Sequence, residues 1–458
     1  MSKHIHILGI CGTFMGSLAI LAREKGFKVT GSDAAIYPPM STYLQKQGIK
    51  IYQGYEPEVL ELKPDHIIIG NTMRRGMAII EKILDDNLSY SSGPKWLYEH
   101  ILKDKFVIAI AGTHGKTTTT SLVCKMLDDA GFNPSFLIGG VMQDFGVSSR
   151  LTDSKYFVIE ADEYDTAFFD KRSKFMHYHP DVLLINNLEF DHADIFENMD
   201  AILKQFHHLI RTLPAKTAII YPEEVGAIKR LLEMGVWSKL LPSGKEKGVY
   251  VEAKKRDYSE FTIERKADAL SIKWPLIGAH NAQNALHAYM IGKLLEIPDD
   301  SIQQSFFEFK GVKRRLECIF QNKTLSIYDD FAHHPTAVKE TLLAVRAKSQ
   351  RQGQSSDRVI AILEPRSNTM KMGVHKKELI DVLQYADEAW LYMNENALWK
   401  VDESSQSIGI YQHVCDIIEA FEKEMVKAQS NHTHFVIMSN GGFEGLHQKL
   451  CDRASEKV

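Results

Sequence analysis

Cysteine is scarce and unpatterned: Cys11, Cys124, Cys318, Cys415 and Cys451 fall far apart, with no C-x-x-C among them. That scatter argues against a disulfide framework and a thiolate zinc site, and it fits a reducing cytoplasm. No apolar run approaches the roughly 20 residues that a bilayer-crossing helix needs. The N-terminus enters an apparent strand, HIHILGI, without a cleavable leader pattern. Neither secretion nor membrane anchoring is expected. Net charge is only -4, and no basic stripe or aromatic-basic interleaving occurs, so nothing electrostatic points to nucleic acid or membrane partners. Small molecules are the expected ligands. No internal repeat or low-complexity segment stands out.

What is present is alternation. Short apolar runs trade places with helical stretches along the 458 residues, the pattern of parallel sheets wrapped by helices. The length suits about three domains. The expected fold is α/β: a Rossmann-like domain over 1–105, a central P-loop ATPase domain over 106–312, and a Rossmann-like C-terminal domain over 313–458. The central domain is expected to combine a parallel sheet with a small antiparallel part. Residues 245–275, beginning KEKGVYVEAKKRDYSEFTIERK, read as short exposed strands of a solvated hairpin.

The stretch IAIAGTHGKTTTT at 108–120 nearly matches the phosphate-loop pattern G-x-x-x-x-G-K-[ST], but Ile110 stands where the first glycine belongs. Context compensates, because an apolar strand precedes the loop and a helix ending at Gly131 follows it. Backbone N–H groups of Gly112 to Lys116 would cradle phosphates at that helix start, where unpaired donors favour negative charge. Lys116 would reach the terminal phosphates, and the Thr117 hydroxyl would face magnesium. Strand YFVIEAD then opens into Glu160, Asp162, Glu163 and Asp165; Glu160, at the strand end, is the first candidate for a metal ligand. The next strand leaves through NNLEFDHADIF, which puts Asp191 and His192 in the equivalent position, with His192 a candidate for a second cation. His177, His179, His192, His207 and His208 lack thiolates and any H-E-x-x-H pattern, so zinc is not expected. In the first block, GICGTFMGS spaces Gly9, Gly12 and Gly16 three and four apart, each about one residue wider than in a dinucleotide fingerprint, which weakens a nicotinamide-cofactor reading. Diphosphate binding stays reasonable there, and Asp33 ends the next strand.

Taken together, GICGTFMGS, AGTHGKTTT, EADEYD, NLEFDHADIF, GAHNAQNALHA, VKRRLE and YDDFAHHPTA resemble, in order and across the chain, the muramate-peptide ligases of bacterial cell-wall synthesis. The resemblance implies a cytoplasmic enzyme with a UDP-sugar domain, a central ATPase domain and a C-terminal domain that brings the second substrate, using ATP and Mg2+. It assigns Gly112, Thr113, His114, Gly115, Lys116, Thr117 and Thr118 to the ATP phosphates. Thr117 and Glu160 fall to the first magnesium and His192 to the second. Asn281 and Asn284 match adenine contacts, and Asp330 a ribose contact. Arg315 and His333 match groups near the phosphates. Gly12, Thr13, Asp33 and Asn71 match the UDP-sugar pocket, and Arg366 is a candidate for the peptide's carboxylates. Where several relatives carry a carbamylated lysine, this chain has His207, with Lys204 nearby. The stretches GSDAAIYPPMST, FFDKRSKF, LEPRSNTMKMG and SNGGFEGLHQKL look most like family members that join the murein tripeptide L-alanyl-γ-D-glutamyl-meso-diaminopimelate to UDP-N-acetylmuramate in peptidoglycan recycling. The alternative is the family's L-alanine-adding ligase. A monomer or weak homodimer is expected.

Overall fold

The computed structural model describes residues 2–36, 40–266, 268–350, 357–393, 399, 408–427 and 432–456. Residues 37–39 of GSDAAIYPPMST, and 351–356 of the polar loop KSQRQGQSSD, lie outside the described residues. The chain packs as two units. The first comprises Met1–Glu189, Met199–Lys247 and His287–Ser305; the second comprises Phe190–Asn198, Gly248–Leu286 and Phe306–Val458.

In the first unit the opening apolar run becomes β1 (His4–Leu8). It centres a parallel sheet with β2 (Lys28–Asp33), β3 (Lys50–Gln53), β4 (His66–Ile69) and β5 (Tyr90–Ser92), in the order β3-β2-β1-β4-β5. The order reverses between β1 and β4, where an open α/β sheet leaves a ligand crevice beyond its carboxyl ends. β1 is buried along its whole length although it carries two histidines. Thr30 Oγ1 lies 2.9 Å from His4 Nε2 and 2.8 Å from His6 Nδ1, and Ser32 Oγ lies 2.9 Å from His6 Nε2. This ladder satisfies the buried polar atoms. Burial, with His4 beside it, pushes the His6 imidazole down to about 4, so it stays neutral.

The same unit holds a second sheet. Its strands are β6 (Phe106–Ala111), β7 (Ser135–Leu137), β8 (Ser149–Arg150), β9 (Tyr156–Ala161), β12 (Val182–Ile185), β13 (Ala218–Pro222) and β14 (Lys239–Ser243), in the order β14-β13-β12-β6-β9-β7-β8. All its pairings are parallel except β7 with β8. Val107 to Ala111 are at most 1% exposed, which accounts for an unbroken apolar run. β6 lies between β9 and β12, and register sets Ile110 beside Glu160 and Ala111 beside Ile185. The loop after β6 therefore opens between the ends of its two neighbours. A hairpin of β10 (Asp165–Ala167) and β11 (Asp170–Ser173) follows β9; its Phe168 packs into the core of the first sheet, and Phe169 meets Tyr90 edge-on.

The expected solvated hairpin over 245–275 is instead a three-stranded antiparallel sheet in the second unit, β15 (Tyr250–Ala253), β16 (Glu260–Glu264) and β17 (Ala269–Lys273). Phe261, Ile263 and Ile272 are fully buried on one of its faces. Period-two alternation in FTI and LSI makes that face, while the lysines that suggested solvation fall largely at turns and strand ends. The last sheet runs β18 (Glu317–Gln321), β19 (Leu325–Asp330), β23 (Thr433–Met438), β20 (Arg358–Leu363), β21 (Glu388–Tyr392) and β22 (Ile408–Tyr411), with only β18 antiparallel. Apolar clusters cover both of its faces.

Candidate active site

The loop after β6 needs glycine at two points for two reasons. Gly112 has φ 129°, and a Cβ there would sit 2.9 Å from the Asn187 carbonyl oxygen; Gly115 has φ 77° and starts the helix Lys116–Asp129. Residues after β12 brace the loop from end to end. Thr113 N–H donates to Asn187 O at 3.3 Å, His114 N–H donates to Asn187 Oδ1 at 2.8 Å, and Glu189 N–H donates to Thr113 Oγ1 at 2.9 Å. Asn186 and Asn187 each donate a side-chain N–H to the His114 carbonyl at 3.0 Å. The threonine-rich helix start is buried without conflict because its hydroxyls donate to carbonyls one turn back: Thr119 to Gly115, Thr120 to Lys116 and Ser121 to Thr117, at 2.8–2.9 Å.

Lys116, 9% exposed, donates to Gly112 O at 2.7 Å and to Glu163 Oε2 at 3.2 Å, with Asp162 Oδ1 at 3.9 Å. Burial disfavours its charge, but Glu163, Asp162 and Glu160 outweigh burial and hold the ammonium above its usual range. Beside it, Thr117 Oγ1 donates to Glu160 Oε1 at 3.0 Å, while Glu160 Oε2 accepts from Gly139 N–H at 2.7 Å. A hydroxyl and a carboxylate meet at a helix start next to a lysine, the oxygen donor set that magnesium takes. Thr118 is buried one residue further on. Of the acidic cluster, Asp165 departs into the hairpin and pairs with exposed Lys171 at 2.6 Å.

The first-sheet turn is built differently. Gly9 has φ 80°, Gly12 caps the helix Thr13–Glu24, and Asp33 at the end of β2 closes the turn by accepting Cys11 N–H at 2.8 Å and Ala35 N–H at 3.0 Å. Asn71 is exposed in the turn after β4.

Within the second unit, Asp191 is buried, with Oδ2 3.9 Å from both His192 Nε2 and His333 Nε2. Burial would raise its pKa, but these imidazoles and the His192 N–H, which it accepts at 2.7 Å, lower it. His333 Nδ1 carries a proton, since it faces the Phe331 carbonyl at 2.8 Å. Asp330 is buried, and burial lifts its pKa despite Arg315; it accepts Leu316 N–H at 2.6 Å and Ala332 N–H at 2.7 Å. The Arg315 guanidinium stands 4.8 Å from the Phe331 ring centroid. Arg366, exposed after β20, lies over Gly441, where any Cβ would overlap its guanidinium. Asn281 donates to Ile277 O at 2.8 Å, and Asn284 Nδ2 lies 3.4 Å from Asn281 Oδ1.

Sequence reading gave no role to the Asn186-Asn187 brace. The adjacent asparagines at a strand end, where side chains can reach a neighbouring loop, were its only signal. Lys204 is exposed, and the His207 ring lies 6.4 Å from that of Trp237. From the same helix it is Gln205 that reaches the acidic loop, 3.4 Å from Ser173 Oγ, which itself donates to Glu163 O.

Residues 4–105, 110–292 and 314–441 match, in turn, the families described as Mur ligase family, catalytic domain; Mur ligase middle domain; and Mur ligase, glutamate ligase domain. The chain is 46% identical over 455 residues, 99% of each chain, to the UDP-N-acetylmuramate--L-alanyl-gamma-D-glutamyl-meso-2,6-diaminoheptandioate ligase of Escherichia coli (strain K12). It is 44% identical over 457 residues to the protein of the same name from Haemophilus influenzae, covering 99% of this chain and 100% of that one. The crystal structure of a murein peptide ligase from Psychrobacter arcticus aligns over 98% of each chain, with a TM-score of 0.74 and 41% identity.

Proposed function

The chain belongs to the Mur ligase family, and from that premise we infer that it is an ATP-dependent ligase joining L-alanyl-γ-D-glutamyl-meso-diaminopimelate to UDP-N-acetylmuramate through a new amide bond, in peptidoglycan recycling. The choice of tripeptide over free L-alanine rests on the names of relatives that are 44% and 46% identical over nearly the whole chain. One observation carries the chemistry: a buried lysine at a glycine-loop helix start, beside a threonine hydroxyl paired to a carboxylate at 3.0 Å.

In this reading the muramate carboxylate attacks the γ-phosphate of ATP, giving an acyl phosphate and ADP. The tripeptide's amine then attacks the acyl carbon, and phosphate leaves. The first barrier is the approach of two anions. Lys116 and the loop N–H groups lower it by meeting charge on the phosphate oxygens. Thr117 and Glu160 would hold a magnesium ion, and His192 a second; bound magnesium supplies further neutralisation of phosphate charge. Asn281, Asn284 and Asp330 are proposed for the nucleoside, Arg315 and His333 for the transferred phosphate, and Arg366 for the peptide carboxylates. Gly12, Thr13, Asp33 and Asn71 are proposed for the UDP-sugar. The division at 1–105, 106–312 and 313–458 follows the same reading. A cytoplasmic setting fits an enzyme that consumes ATP and a nucleotide sugar, and among the described residues no helix is long and apolar enough to cross a membrane.

The test is phosphate release with ATP, magnesium and UDP-N-acetylmuramate while the acceptor is varied among tripeptide, L-alanine and none. Release that requires tripeptide is the expected result. Turnover with L-alanine alone would sink the substrate assignment, and acceptor-independent turnover would sink the ligase reading.

A further inference from the structure

We propose that His287 is a positioning residue for the nucleotide loop, acting through Asn186 to fix the peptide between His114 and Gly115. The inference rests on the loop's reading as a phosphate site. His287 sits in the helix Ala279–Leu294, is 0% exposed, and has no part in the chemistry described above. Its Nδ1 lies 2.6 Å from Asn186 Oδ1, and its Nε2 lies 3.1 Å from Ser243 Oγ.

The directions of these bonds follow from what each atom can do. The His114 carbonyl only accepts, so Asn186 must present its amide nitrogen to it, at 3.0 Å. That leaves Asn186 Oδ1 facing His287, whose Nδ1 therefore carries the proton. Nε2 is then the acceptor, and the Ser243 hydroxyl donates to it. Donation runs one way, from Ser243 through His287 and Asn186 to the loop. The chain requires a neutral imidazole, and burial keeps it so, pushing the pKa down to about 3.

The last link has a geometric consequence. A trans peptide points its C=O and the following N–H in opposite directions. With the His114 carbonyl pinned against Asn186 and Asn187, the Gly115 N–H must face the other way, as a phosphate donor at the helix start must. Without the pin, Gly115 at φ 77° is free to let that peptide rotate.

The test measures binding of a non-hydrolysable ATP analogue and of UDP-N-acetylmuramate to the full chain by calorimetry, with KM and kcat for each substrate. His287→Leu keeps the volume and removes both polar atoms; about a tenfold loss of analogue affinity is expected, the size of one buried hydrogen bond with its orphaned partner, with UDP-N-acetylmuramate affinity unchanged. His287→Asn, which keeps a donor near Nδ1, should recover most of it. Unchanged analogue affinity in His287→Leu, alongside loss in Lys116→Ala, would overturn the inference alone; unchanged affinity in Lys116→Ala would overturn the phosphate-loop reading itself. If His287→Leu does not fold, the near-isosteric Asn186→Asp, which replaces the pinning donor with an acceptor, must show the same selective loss, and retention of affinity there equally overturns the proposal.

Discussion

Two glycine turns in one unit start from the same plan of strand, turn and helix, yet they are held by side chains of different chemistry, a carboxylate in the first and two amides in the second. After β1, the turn closes on itself: the Asp33 carboxylate accepts the Cys11 and Ala35 N–H groups, and no lysine opens the helix Thr13–Glu24. After β6, the side chains of Asn186 and Asn187 take the His114 carbonyl inward, and Lys116 brings a cation. In the proposed reading, the turn closed by a carboxylate would serve shape recognition of a sugar nucleotide, and the one that pins a carbonyl and adds an ammonium would meet the charge that moves during phosphoryl transfer.

The sharpest way to separate the turns is to delete the cation. Lys116→Ala should reduce tripeptide-dependent phosphate release by roughly a thousandfold, about 4 kcal/mol of barrier, and leave UDP-N-acetylmuramate binding intact. Activity within tenfold of the parent would remove the lysine from the chemistry.

Backbone crowding comes next. Gly112→Ala puts a Cβ 2.9 Å from Asn187 O and 3.0 Å from its N, at φ 129°, and should weaken ATP binding by about 3 kcal/mol. Gly12→Ala is its counterpart in the first turn. There φ is -66° and the nearest atom to a new Cβ is 3.5 Å away, so stability should move by no more than about 0.5 kcal/mol. Equal damage from both, in thermal melts and ATP titrations, would erase the contrast.

Acid acts on what the regions share, a buried neutral imidazole. His6 in the first sheet has its pKa depressed to about 4, and His287, on the helix Ala279–Leu294, to about 3. Unfolded histidine titrates near 6.5, so the unfolded chain takes up the proton first. The stability these groups contribute is present above about pH 6.5 and is lost as pH falls toward 4. At pH 5 each should account for about 2 kcal/mol. Urea midpoints at pH 7 and pH 5 check this: His6→Gln should lose about 2 kcal/mol less than the parent over that interval, and an identical loss would mean the ladder on β1 does not hold a neutral ring.

Much of this was legible in the sequence because it depends on local chemistry. The run FVIAIA can be so apolar only if both its faces are covered, and the following GTHGK needs its glycines where the backbone turns. The pairing of Thr117 with Glu160 was legible for a different reason, since neighbouring parallel strands end at one edge and their terminal side chains meet there. The brace was not legible. Asn186 and His287 are 101 residues apart, and neither carries a spacing that marks it as anything but a core polar residue. The sheet over 250–273 misled for another reason: its lysines announce solvent, while its burial is set by the alternate residues Phe261, Ile263 and Ile272, which share one face.

The smallest expected effect tests whether the turns are independent. Asp33→Ala removes the acceptor for the Cys11 and Ala35 N–H groups, but Ala35 is exposed and Cys11 half-buried, so water can replace the carboxylate and the net cost should be about 1 kcal/mol. It should appear as a several-fold rise in KM for UDP-N-acetylmuramate with KM for ATP unchanged. Parallel movement of the two KM values would mean the turns are coupled through the packing they share, where Ser17 Oγ meets Ser148 Oγ at 2.9 Å and Glu24 accepts Leu151 N–H at 2.8 Å. In that case a carboxylate in one turn would be tuning the other, and the division between shape recognition and charge handling would no longer hold.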